Sequence, residues 1–108
     1  MAYYLLQAAY TAESCAHQIS NPQNVEERTR GVIERLGGKV ECMFYAFGEY
    51  DIMHIVQFPD NVSAASLAMA VSAGGAVKAV KSTPLMTAEE GMEAFKRAAA
   101  AGYESPRG

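Results

Sequence analysis

Cysteine is scarce: Cys15 and Cys42 are the only two in 108 residues, and they do not form a CxxC pair. Neither a zinc site nor a dithiol redox motif follows from them. Basic residues are also few. Nine Lys and Arg against twelve Asp and Glu leave a net charge of -3, and the nine are scattered. A nucleic-acid binder usually shows a basic stripe, so nucleic acid is not an expected partner. Long apolar runs are missing too. The start, MAYYLLQAAY, is apolar but lacks a charged n-region and is too short to span a bilayer. No leader and no membrane anchor are expected, which implies a cytoplasmic protein whose thiols stay reduced. Gly74-Gly75 lacks the Lys-Ser/Thr that follows a phosphate loop. No metal and no cofactor are expected.

Half of the residues are hydrophobic and 19% are charged, an ordinary globular balance. The length is that of one domain with its own core, expected over residues 1–101, with a flexible tail over 102–108. Residues 2–10 alternate weakly and read as a first strand. The stretch TAESCAHQISN, 11–21, reads as a polar connection. Asn21-Pro22 opens a helix, Asn as cap and Pro at the first helical position, and Gly37-Gly38 ends it. Strands are expected over 39–47 and 51–58. Asp60 or Asn61 caps a second helix whose stripe is Ala64, Leu67, Ala68 and Val71. Residues 76–83 form a fourth strand. Thr87 and Glu90 make a capping box for a third helix, with Met92, Phe95 and Ala99 turned inward.

The order β-α-β-β-α-β is that of a ferredoxin-like α+β fold, here with an additional C-terminal helix. One antiparallel four-stranded sheet then carries both helices on one face. If Glu49 and Tyr50 are the two turn residues, Phe47 faces Ile52, Tyr45 faces His54 and Met43 faces Val56, all on one side. Ala46, Phe44 and Cys42 pair with Met53, Ile55 and Gln57 on the other. Both sides are mainly apolar. A sheet with one wet face should be polar there, so the open face is expected to be covered by a second copy of the chain.

At Gly48-Glu49-Tyr50-Asp51 the sequence resembles the GYD-domain family. The likeness extends over residues 3–96, through YYLLQAAYTAES, LGGKVECMFYAFGEYD and HIVQFPDNVSAASLAMAVSAGGAVKAV. It implies a ferredoxin-like fold assembled as a dimeric α/β barrel, or as a higher oligomer of such dimers, and it implies no settled activity. The loop after the first strand commonly reads Thr-x-Gln-Gly in that family; here it is Thr11-Ala12-Glu13-Ser14. His54 stands where the family commonly has small aliphatics.

Several residues have a structural and a functional reading. Gly48 and Asp51 suit a turn, Asp51 by bonding nearby backbone amides. Tyr50, with Glu49 and Phe47 beside it, could instead line the mouth of a ligand pocket. His54 is either a core histidine bonded to a neighbour or a general base tuned by Tyr45 or Asp51. Asp51 and His54 are an odd spacing apart, so within one chain they start on opposite faces. His17 lies two residues from Cys15 and is a further ligand-binding candidate, but the pair makes no metal signature. The expected role is small-molecule binding by a homo-oligomer, in a pocket between sheet and helices or at the dimer seam. The alternatives are a cofactor-independent enzyme (monooxygenase, isomerase or cyclase) with His54 as base, and a protein-assembly or regulatory module.

Overall fold

The computed structural model describes residues 1–106 of the chain. Eight elements follow in order: β1 (Ala2–Tyr10), α1 (Ala12–Ser20), α2 (Val25–Arg35), β2 (Lys39–Tyr45), β3 (Ile52–Phe58), α3 (Asn61–Ala73), β4 (Val77–Leu85) and α4 (Ala88–Ala100). The strands form one sheet in the order β2-β3-β1-β4, and every neighbouring pair is antiparallel. This is the ferredoxin-like arrangement with an extra C-terminal helix. In the expected tail, residues 103–106 have no regular structure, and 107 and 108 lie outside the described residues.

Two helix starts differ from the sequence reading. The stretch read as a polar connection is a helix, α1. Thr11 caps it by accepting the Ser14 amide at 3.1 Å, and Glu13 lies in its first turn, where the helix dipole favours an acid. No residue of α1 is buried, so it carries no apolar stripe to announce it. The next helix begins at Val25, beyond Asn21-Pro22. Asn24 is its cap, its Oδ1 accepting the Glu27 amide at 3.1 Å. The Asp60 cap and the Thr87–Glu90 capping box form as expected.

The hairpin also differs. Tyr45 pairs with Ile52 and Met43 with His54, two residues out of the expected register. The Ala46 amide donates to the Asp51 carbonyl at 2.8 Å, so the loop between them holds four residues instead of two. Asp51 is drawn out of a tight turn because its own amide donates to the Ala8 carbonyl of β1, at 2.9 Å. A slip of two leaves the faces unchanged, since side chains alternate with period two. Nearer the start of β2 the register shifts between Val40 and Cys42, a bulge on an edge strand.

The helix-covered face holds the core. Tyr4, Leu6, Val56 and Phe58 from the sheet meet Ile33 of α2 and Leu67 of α3. Ile33 is 0% exposed, and burying each such side chain contributes about 1.5–3 kcal/mol. Gly38 is required here: a Cβ on it would stand 2.5 Å from Cε1 of Phe58 and 2.8 Å from the Gln57 carbonyl oxygen. The opposite face presents Tyr3, Leu5, Met53 and Ile55, half-buried by one another, and Phe44, exposed. α4 buries nothing. Met92 and Phe95, expected inward, are exposed, Phe95 at 78%. With this helix projecting, the radius of gyration is 17.3 Å, against roughly 13 Å for a compact chain of this length.

Candidate functional site

The core fills only one end of the helix-covered face. Toward the other end, β1 contributes Ala8 and Tyr10, and β3 contributes Ile52 and His54. There the helices stand off the sheet and leave a cavity of about 610 Å³. α2 turns one face to it, with Val25, Arg28, Thr29 and Val32 at the spacing of successive helical turns. α1 adds Ser14, His17 and Gln18 by the same spacing. Leu67 and Val71 of α3 close the remaining side. The wall is mostly apolar, with polar groups toward the α1–α2 connection.

Among the described residues, two polar atoms on this wall have no partner at full hydrogen-bond geometry, although Gln18 approaches one of them. They are the Tyr10 hydroxyl and Nε2 of His54, both buried. His54 is 3% exposed and is the only fully buried polar or charged residue among those described. It stands opposite Leu6 on β1 and Met43 on β2. Burial holds its pKa below the ordinary histidine value, with Glu26 acting weakly against that. The imidazole is therefore neutral at neutral pH. Burial also pushes the Tyr10 phenol up to about 12, helped by Tyr45, Asp51 and Cys15 and opposed by Gln18. Tyr10 is therefore a protonated hydroxyl, able to donate and to accept. Tyr4, on the same face of β1, shows the ordinary case: its hydroxyl donates to Asn61 Oδ1 at 2.6 Å. Buried polar groups normally find such partners, so His54 Nε2 without one, and the Tyr10 hydroxyl with only Gln18 approaching it, need an explanation.

The sequence candidates divide. His54 and His17 line the cavity, His54 buried and His17 exposed at its mouth. Tyr45 lies on the His54 face, opposite Ile52, but is 58% exposed and does not line the cavity. Asp51 reaches the other way: its Oδ2 accepts the Tyr10 backbone amide at 2.8 Å. That amide lies just past the last β1–β3 pair, Ala8 with Ile52, and at the register shift of β1 against β4. The Asp51 carboxylate thus holds the end of β1 where regular pairing stops. Phe47 and Glu49 are exposed on the hairpin loop and Tyr50 is half-buried; none of them lines the cavity. Among the described residues no group of three or more His, Cys, Asp or Glu is placed to hold a metal. No helix among them is long and apolar enough to cross a membrane.

Sequence reasoning did not single out Tyr10, Gln18 or Arg28 as site residues. Tyr10 falls on the His54 face by strand parity, but only the β1–β3 register shows it. Gln18 belongs to the helix α1 that was read as a connection. Arg28 sits in a run of charged residues that reads as a solvated helix face.

Four antiparallel strands in this order, helices on one face and a cavity beneath them define a ferredoxin-like α+β domain. The chain belongs to the GYD domain family, whose profile matches residues 4–95. Among solved structures it is similar to FFRP-DM1, with a TM-score of 0.57 and 13% identity over 80% of this chain and 100% of that one. It is also similar to MtbAldR, with a TM-score of 0.52 and 16% identity over 99% of this chain. The chain spans 56% of the MtbAldR chain. At these identities the likeness is one of fold, and fold does not specify function. A comparison with curated proteins finds no match.

Proposed function

We propose that this domain binds a small molecule in the cavity between sheet and helices and works as a cytoplasmic homo-oligomer. The observation that carries the binding reading is the pair of buried, unpartnered atoms, the Tyr10 hydroxyl and His54 Nε2, on the wall of one cavity. An apolar cavity of this size with a few convergent polar groups and a perturbed histidine is the usual form of a ligand site. A bound molecule would supply the hydrogen bonds that the fold withholds. Self-association is supported by the apolar face of the sheet opposite the helices and by the exposed Met92 and Phe95 of α4. Two free cysteines suit a reducing compartment.

An enzyme reading rests on one of the same atoms. A neutral, buried imidazole with a free Nε2 facing a cavity is competent as a general base, and the Tyr10 hydroxyl is a hydrogen-bond donor elsewhere on the same wall. In that reading His54 is the catalytic base, and the fold leaves Tyr45 and Asp51 off the cavity wall.

The test is native mass spectrometry of freshly purified protein, followed by denaturing mass spectrometry of the same sample. The binding reading expects an oligomer carrying small-molecule mass that denaturation releases. Tyr10→Phe should lower the retained fraction without changing the oligomer. An oligomer free of extra mass, whose melting temperature no added small molecule raises, would refute the binding reading.

A further inference from the structure

We infer that the ligand is a small monoanion: an apolar, ring-sized body with a carboxylate at Arg28 and a hydrogen-bonding group for Tyr10 or His54. This rests on the cavity being a binding site, and adds the chemistry of what enters it. Arg28 is the only Lys or Arg on the cavity wall among the described residues, and no Asp or Glu lines it there, although the chain has twelve acids. With Asp51 and Glu26 acting only from behind the wall, a single lining cation favours one negative charge, placed at Arg28. Arg28 is also held in place: its Nη1 donates to Gln23 Oε1 at 2.8 Å. Gln23 lines the same mouth. A guanidinium has five N–H donors in a planar fork, so this bond leaves an edge free for the paired oxygens of a carboxylate.

The rest of the wall sets the body of the ligand. Leu6, Val32, Ile52, Leu67 and Val71 offer apolar surface and no charge. About 610 Å³ lies within the range that holds a ring with a short chain. Tyr10 stands four residues along β1 from Leu6, the partner of His54. At the rise of a strand this is roughly 13 Å of backbone, so the two polar groups mark separate points of the wall, and one group of the ligand need meet only one of them. A neutral imidazole and a protonated phenol can serve a hydroxyl or carbonyl, and neither adds a charge to compete with Arg28.

The experiment uses the full chain and three matched probes: hydroxyphenylpropionate, its primary amide, and hydroxyphenylpropylamine. They share ring and chain length and differ in charge. Binding is read by calorimetry, and by the shift of the His54 ring protons in NMR spectra. The acid is expected to bind roughly tenfold or more tightly than the amide or amine, the size of a charge-assisted hydrogen bond. Arg28→Gln, on an exposed side chain that the core does not need, should keep the fold and abolish that preference. Equal binding of acid and amide, or tighter binding of the amine, overturns the monoanion and leaves the cavity as a site. An acid preference that survives Arg28→Gln overturns the assignment of the carboxylate. No binding of any probe at millimolar concentration, with the His54 signals unmoved, overturns this inference, while the binding reading stands or falls on retained small-molecule mass.

Discussion

Replacing Asp51 with alanine removes the acceptor that holds the Tyr10 amide at 2.8 Å. β1 has left β3 at that point, so no backbone carbonyl of β3 takes the acceptor's place. A hydrogen bond to an ionised acceptor is worth about 1.5–3 kcal/mol, and Asp51 is half-buried, so Asp51→Ala should cost about 2 kcal/mol. Asp51→Asn keeps a carbonyl oxygen at the same reach and loses the charge. Neutral bonds are about half as strong, so it should cost about 1 kcal/mol. Unfolding entropy near 2.1 cal/mol/K per residue gives about 0.23 kcal/mol/K over this chain, so the two variants should melt about 9 °C and about 4 °C lower. Urea denaturation at one fixed protomer concentration checks the free energies, because an oligomer's stability depends on concentration. An alanine variant within about 0.5 kcal/mol of the parent, or an asparagine variant worse than alanine, would refute the clamp. Unchanged stability with lost ligand retention would move Asp51 from the fold to the site.

Three further outcomes follow from the same structure. Gly38→Ala should destabilise by about 1–3 kcal/mol in urea, because its Cβ would sit 2.5 Å from the Phe58 ring and 2.8 Å from backbone oxygen. His54 has a folded pKa below its unfolded one, so its contribution is fully present above about pH 6.5 and is lost as pH falls, when the unfolded chain takes up a proton that the folded site resists. Stability measured from about pH 7 down to about pH 5 should therefore decline less steeply in His54→Gln than in the parent, where this one group adds at most about 1.4 kcal/mol per pH unit. Ile55→Glu puts a charge on the apolar face opposite the helices and should turn the proposed oligomer into single chains on a sizing column. An oligomer that survives it is built from some other surface.

The fold was legible because its signals are local. Leu-Gly-Gly before β2, the Asp60 cap and the Thr87–Glu90 capping box all punctuate the chain at short range. α1 was hidden because its helix rests on Thr11 capping and exposed polar residues, without a buried stripe. The hairpin register was missed for a long-range reason. Asp51 answers to Ala8 and Tyr10, more than forty residues away, and so does not close the two-residue turn that its neighbours suggest. The cavity was half legible. His54 stood out as a histidine among apolar residues, while Tyr10 looked like one more strand tyrosine. What distinguishes Tyr10 from Tyr4 is that Asn61 meets one hydroxyl at 2.6 Å, while among the described residues only Gln18 approaches the other, short of full hydrogen-bond geometry. That difference exists only once three elements have been brought together.

The most direct test of the central claim is the electron density of the cavity in crystals of protein taken straight from the expressing cells. Connected density larger than water, in contact with the Tyr10 hydroxyl or His54 Nε2, is the expected result. A cavity closed by neighbouring side chains, with both atoms bonded to protein groups, would contradict it.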